Sequence, residues 1–152
     1  MEQRINAYEK GRNAMQALYG LGLYLAKSAI EQPLLNLLYF RVSQINGCAY
    51  CLDMHSKDLR ARGETEQRLY GLDAWREAPF YTDRERAALA WAESVTKVTE
   101  GHVPGETYQE ARKQFSEEEL IDLTLAIITI NSYNRVNIAF RTTAGTYQLG
   151  TY

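Results

Sequence analysis

At 152 residues the chain can bury one real core but is short for two, so a single domain over residues 1–152 is expected. It is 45% hydrophobic and 24% charged, the balance of an ordinary soluble globule rather than of a disordered or membrane-embedded chain. A net charge of −2, with Lys and Arg scattered, argues against nucleic acid or an anionic membrane as partner.

The first apolar-periodic segment covers about Asn6–Ser28, with Ala14, Leu18, Leu21 and Leu25 at helical spacing. Nothing before it has the basic-then-apolar layout of a signal peptide. The longest apolar runs, Leu34–Phe40 and Leu123–Ile130, fall well below the roughly 18–20 residues of a membrane span. The cytoplasm is therefore the expected compartment. Pro33 suits the first turn of a second helix that stops at Asn46-Gly47. A third helix starts around Cys48 and ends at Gly63, and Thr65 can cap a short fourth through Tyr70. Thr82-Asp83-Arg84-Glu85 and Ser116-Glu117-Glu118-Glu119 both carry the capping-box pattern, ahead of the apolar segments Ala87–Val98 and Leu120–Ile130. Between these, Pro104-Gly105 sets off a small helix near Tyr108–Phe115. No stretch alternates with period two for long enough to make a strand, which predicts an all-α helical bundle. Leu120–Ile130 is apolar nearly all the way round and should be covered on most sides. Together with the Tyr- and Leu-rich first segment, it predicts a homo-oligomer whose helices pack across subunits.

The chemistry concentrates in Cys48-Ala49-Tyr50-Cys51 and His55. In a reducing compartment two cysteines three apart suit redox chemistry or metal binding better than a structural staple. Three residues is nearly one helical turn, so the sulfurs can meet, and a helix start favours thiolate over thiol. His55 lies four residues after Cys51, on the same helix face. Its imidazole could accept the thiol proton, stabilise the thiolate once protonated, or protonate a departing oxygen. In this picture Cys51 attacks and Cys48 resolves. The opposite order stays open, because Cys48 is nearer the helix start. Two competing readings are a pair of ordinary core cysteines and a zinc site. Zinc would find three ligands in Cys48, Cys51 and His55 where a structural site wants four. There is no second cysteine pair, and the other histidine, His102, sits in a loop where simple exposure is expected.

Asn36 stands out as an amide with two leucines on each side. Burying it without partners would cost about 1–3 kcal/mol, so it should hydrogen-bond something specific. One expectation is a local bond to the carbonyl of the preceding turn. The other is that it faces the Cys51–His55 pocket.

The run Ser43-Gln44-Ile45-Asn46-Gly47-Cys48-Ala49-Tyr50-Cys51-Leu52-Asp53-Met54-His55 closely resembles the core motif of the carboxymuconolactone decarboxylase superfamily, in its alkylhydroperoxidase D-like branch. The likeness continues through Gly63–Leu69, Thr82–Trp91 and Ile130–Arg135, and so spans about Leu34 to Arg135. The resemblance implies an all-helical fold that assembles into trimers or hexamers. It also implies a thiol peroxidase in which the residue matching Cys51 attacks a hydroperoxide and the one matching Cys48 closes a disulfide. An external dithiol donor, a lipoyl protein or a thioredoxin-like partner, would then reduce that disulfide. No metal, haem or flavin is implied. Decarboxylation is disfavoured, since the decarboxylases lack the cysteine pair. One position departs from the pattern. The family usually carries a glutamate twelve residues before the first cysteine, where it completes a proton relay with the histidine, and here that position is Asn36. A neutral amide can orient a partner but cannot take up a proton. Glu31, five residues earlier, is no evident substitute. The resemblance with this departure implies a weak peroxidase. The alternatives are a dithiol–disulfide oxidoreductase, a redox sensor, or a non-catalytic oligomeric member of the fold.

Overall fold

Thr65, Thr82 and Ser116 each accept a backbone N–H from the residue three further on and so start a helix. At the last two, Glu85 and Glu119 reach back to the capping residue and close full capping boxes. In the computed structural model, which describes residues 2–150, the helices are α1 (Ala7–Lys10), α2 (Arg12–Leu25), α3 (Gln32–Asn46), α4 (Ala49–Ala61), α5 (Glu66–Gly71), α6 (Asp83–Thr96), α7 (Gly105–Gln114) and α8 (Glu117–Phe140). Single 3-10 turns lie at Leu72–Ala74 and Val98–Glu100, and no strand occurs among the described residues.

Three boundaries differ from expectation. The segment expected as one helix over Asn6–Ser28 is broken at Gly11 (φ −107°, ψ 30°) into the single turn α1 and the longer α2, which ends at Leu25. The Gly11 N–H closes the α1 turn on the Ala7 carbonyl, and a Cβ at this position would stand 2.9 Å from that oxygen. Glycine is what lets the chain pass so closely. α7 starts at Gly105 rather than near Tyr108, directly after Pro104. The apolar helix continues past Ile130 to Phe140, because the polar residues that follow face partners on α3 and α4 rather than solvent.

α3 is the central element, packed against α4, α6 and α8. Its Leu34, Leu35, Leu37, Leu38 and Val42 are buried among Leu89 and Ala92 of α6 and Leu123, Ala126, Ile127 and Ile130 of α8. Each leucine so buried contributes about 1.5–3 kcal/mol. Arg41 is buried in the same helix and forks onto Glu93, with Nε and Nη2 at 3.0 and 2.8 Å from Oε1. Trp75 Nε1 donates to the same oxygen at 2.8 Å, so the carboxylate is well satisfied.

Two features aim the end of α3 at the site. Gly47 (φ 66°, ψ 35°) takes the left-handed conformation that turns the chain directly into α4. A set of amides ties the last turns of α3 to α8. Asn46 Nδ2 donates to Asn134 Oδ1 at 2.8 Å and to Asn131 Oδ1 at 3.0 Å. Asn134 Nδ2 donates to Ser43 Oγ at 3.0 Å, and Asn131 Nδ2 donates to Thr96 Oγ1 of α6 at 3.0 Å. Deleting one member would strand a buried partner, at a cost of about 1–3 kcal/mol.

The broad apolar girth of Leu120–Ile130 is only partly covered within one chain. Leu123, Ala126, Ile127 and Ile130 are buried, but Ile121 and Ile128 are 61% and 46% exposed. α2 has one buried residue, Leu25, while Tyr19, Leu23 and Tyr24 are about half exposed. No helix among the described residues is long and apolar enough to cross a membrane.

Candidate active site

The reversal at Gly47 makes Cys48 the N-cap of α4, where its Sγ accepts the Cys51 N–H at 3.3 Å. One turn brings the Cα atoms of Cys48 and Cys51 to 5.3 Å, and the sulfurs are joined in a disulfide. Both are buried, at 1% and 0% exposure, but they sit differently. Cys51, and not Cys48, is among the residues that wall a cavity of about 670 Å³. α2 contributes Met15, Tyr19 and Leu23 to that wall, and α3 contributes Leu35, Asn36 and Tyr39. Tyr50, Met54 and His55 come from α4, and Ile130, Tyr133 and Asn137 from α8. Tyr8 of α1 and Tyr147 near the C-terminus extend this aromatic and aliphatic part, and Arg12, Gln16, Gln32, Asp58 and Arg62 add a polar and charged one.

His55 and Asn36 thus share a wall with Cys51. Each has a buried nitrogen, His55 Nε2 and Asn36 Nδ2, with no hydrogen-bond partner. The Asn36 amide nitrogen therefore does not bond to the carbonyl of the preceding turn. The His55 ring lies 5.7 Å from the Tyr39 ring, and burial pushes its pKa from 6.5 down to about 4. At neutral pH it is an uncharged imidazole, able to take a proton but carrying no charge with which to hold a thiolate. Burial also pushes the Tyr39 and Tyr133 hydroxyls up to about 12, so both remain protonated donors.

The depressed histidine makes stability depend on pH. An unfolded imidazole keeps its ordinary pKa, so between 6.5 and about 4 the unfolded chain binds a proton that the folded one refuses. The stabilisation is fully present above pH 6.5 and is lost as the pH falls toward 4. The shift corresponds to about 3 kcal/mol. In urea titrations the parent should lose about that much more stability across this window than His55→Gln. Parallel losses in the two proteins would contradict it.

Two further groups reach the site from distant parts of the chain. Asn137 Nδ2 donates to Cys51 Sγ at 3.5 Å, and Asn137 Oδ1 accepts from the Tyr8 hydroxyl at 3.2 Å. Neither residue stands out from the sequence alone. The available signal is phase: with α8 continued, Ile130, Tyr133 or Asn134, and Asn137 recur on one helix face. The C-terminal segment is strapped along α4 by Asp53, which accepts the Gly145 N–H at 3.0 Å, and by Lys57, which donates to the Tyr147 carbonyl at 3.1 Å. The Tyr147 hydroxyl donates to Asp58 at 2.7 Å, which seats its ring in the cavity wall. Among the described residues no three His, Cys, Asp or Glu side chains gather as a metal would require. His102 is exposed in a turn, far along the chain from the pair.

The chain thus opens α4 with the Cys48–Cys51 pair and buries His55 one turn later, within a fold that is all-helical among the described residues. The family model described as "Carboxymuconolactone decarboxylase family" matches residues 12–94, and the chain belongs to that family, in its alkylhydroperoxidase D-like branch. It is 44% identical over 139 residues to the uncharacterized protein YdfG of Bacillus subtilis, covering 91% of this chain and 95% of that one. A crystal structure of a protein of unknown function from Agrobacterium tumefaciens, described as a putative antioxidant defence protein AhpD, superposes with a TM-score of 0.92. The two are 38% identical, with 96% of this chain and 100% of that chain covered. An uncharacterized peroxidase-related protein from Ralstonia eutropha, described as an alkylhydroperoxidase AhpD core, shares the fold with a TM-score of 0.79. That likeness holds at 17% identity over 92% of this chain and 74% of that one.

Proposed function

We propose that this protein is a thiol-dependent peroxidase that reduces hydroperoxides through Cys51 and Cys48. The observation that carries this reading is the position of Cys51, half of a disulfide pair, on the wall of a largely aromatic and aliphatic cavity that His55 also lines. In the reduced protein the Cys51 thiolate attacks the terminal oxygen of R–O–O–H. The O–O bond breaks, Cys51 becomes a sulfenic acid, and the alkoxide leaves with a proton as the alcohol. The Cys48 thiol then attacks the Cys51 sulfur, expels water and closes the disulfide. A dithiol donor, a lipoyl protein or a thioredoxin-like partner, returns the two electrons by thiol–disulfide exchange. The chain of 152 residues acts as one domain in a reducing compartment, the cytoplasm. An apolar wall of this extent suits a hydroperoxide carried on an organic group, whereas hydrogen peroxide would leave most of it without contacts. The "putative antioxidant defence" description of the Agrobacterium tumefaciens relative points the same way.

A second reading, a dithiol–disulfide oxidoreductase without efficient peroxidase turnover, is favoured by one observation. His55 is uncharged and Asn36 supplies no carboxylate beside it. Steady-state consumption of an organic hydroperoxide with a dithiol donor separates the two. The peroxidase reading requires a rate above that of the donor alone. A disulfide that the donor reduces while hydroperoxide persists would select the second.

The working form is a homo-oligomer, a trimer or hexamer, in which the half-exposed Tyr19, Leu23 and Tyr24 of α2 and the Ile121 and Ile128 edge of α8 meet a neighbouring copy. Light scattering at micromolar concentration should give three or six times the mass of the chain. A monomer would reject the assembly.

A further inference from the structure

We infer that Asn137, oriented by Tyr8, is a positioning residue that sets the reactivity of Cys51 by aiming an amide N–H at its sulfur. This rests on the reading that Cys51 is the reacting sulfur, and adds to it a group from the far end of the chain.

A buried thiol resists ionisation unless something nearby favours the thiolate. The two polar neighbours that share its wall bring no charge to that purpose. His55 is held neutral, and Asn36 is an amide. Two features do favour it, the start of α4 and the Asn137 amide, whose nitrogen lies 3.5 Å from Sγ. Asn137 is itself buried, at 4% exposure, so this bond does not compete with bulk water. Its other end is also specified. Asn137 Oδ1 accepts from the Tyr8 hydroxyl at 3.2 Å, which anchors the amide in the orientation that turns its nitrogen toward the sulfur. The reversed amide would set oxygen lone pairs against Sγ.

The arrangement gives α1 a role that its length alone does not suggest. The single turn Ala7–Lys10, set off by Gly11, carries Tyr8 to a residue 129 positions later in the sequence. The contact also discriminates between states of the pair. A disulfide sulfur is a weak acceptor, whereas a thiolate makes a charge-assisted bond of roughly twice the strength of a neutral one. The same amide therefore stabilises reduced, ionised Cys51 over the oxidised form.

The test isolates the thiol from turnover. In a Cys48→Ser background, Cys51 is the lone cysteine, and serine is itself a good N-cap for α4. The rate of iodoacetamide alkylation is followed from acid to alkaline pH in this protein, and again with Asn137→Leu, Asn137→Asp or Tyr8→Phe added. Besides its tyrosines, the titratable groups on the cavity are His55 and Asp58 of α4, Arg62 at its end and Arg12 of α2, and every variant keeps them. Asn137→Leu should slow alkylation near neutral pH by about tenfold, a shift of one unit in the thiol midpoint. The rates should converge at alkaline pH, where every thiol is ionised. Asn137→Asp, which keeps the shape and sets an anion against the sulfur, should slow it further. Tyr8→Phe should act in the same direction but less. Since the aspartate and phenylalanine variants barely change volume, they decide the matter if the leucine variant does not fold. Superimposable pH curves would overturn the inference, and so would a slowing that is uniform at all pH values, which is an access effect. A protein whose alkylation behaves as expected yet consumes no hydroperoxide would remove the peroxidase reading alone. Coincident curves in an active peroxidase would remove this one alone.

Discussion

Cys51→Ser should abolish hydroperoxide consumption down to the rate of the dithiol donor by itself, whereas Cys48→Ser should complete one turnover and stop at a sulfenic acid on Cys51. The asymmetry comes from where the sulfurs lie. Cys51 faces the cavity and the Asn137 amide, while Cys48 caps α4 behind it. A serine hydroxyl at position 51 stays protonated at neutral pH and cannot replace a thiolate as nucleophile. At position 48 the loss is of a different kind. Serine can still accept the N–H of residue 51, so the helix start is kept, but no thiol is present to expel water from the sulfenic acid. Mass spectrometry after a single equivalent of hydroperoxide, with a sulfenic-acid-selective trap, reads the outcome. A trapped sulfenic acid on Cys48 in the Cys51→Ser protein, and none on Cys51 in the other, would reverse the assignment. Undiminished turnover in Cys51→Ser would remove Cys51 from the chemistry.

Spacing favours that assignment through His55, one turn from Cys51, but leaves the opposite order open. A Cys-x-x-Cys pair gives one cysteine the helix start and the other the histidine, and each argument favours a different nucleophile. The cavity adds a second argument for Cys51, and that cavity is built by five helices packing together. What was legible in the sequence is what local chemistry decides. Thr82 and Ser116 cap their own helices, Gly47 stops α3, and His55 falls on the Cys51 face by helical spacing. The misread boundaries depend on distant contacts. The apolar spacing of the first segment begins at Ala14 and is silent about Gly11, so the break there is visible only as a close approach to the Ala7 carbonyl. The second half of α8 is rich in amides that are poor helix formers in isolation, and they are kept because Ser43, Asn46 and Cys51 receive them. Asn137 lies 86 positions from Cys51, and no local pattern links the two. The position of His55 was legible but its charge was not, since the pKa is set by burial among side chains from other helices.

Asn36→Glu should raise hydroperoxide turnover at least about tenfold, the low side of what general acid–base catalysis supplies. The Asn36 amide and the His55 imidazole share the cavity wall with Cys51, and each has a buried nitrogen without a partner. As it stands, His55 titrates at about 4 and is a neutral ring throughout the range where the enzyme would work. Such a ring can accept a proton only weakly, and it is never charged when the alkoxide needs one. A carboxylate at position 36 changes the sign of its surroundings. The negative charge favours imidazolium and moves the histidine pKa upward, toward the pH at which an acid–base group is most effective. Position 36 is half-buried rather than sealed, and Arg12 and Arg62 line the same cavity, so the new carboxylate has opposite charge within the site. Turnover in the variant should pass through a maximum near neutral pH, because one group must be ionised and the other protonated. Asn36→Gln separates charge from length: it has the reach of glutamate without the proton and should gain nothing. Added destabilisation is expected, since a carboxylate is harder to desolvate than an amide, and thermal unfolding of both variants would show whether the fold survives. A folded Asn36→Glu protein no faster than the parent, with the glutamine variant matching it, would mean that proton transfer through this wall does not limit the reaction. The weight would then pass to thiol–disulfide exchange, in which the chain's dithiol acts on another disulfide and a carboxylate beside His55 has no alkoxide to serve.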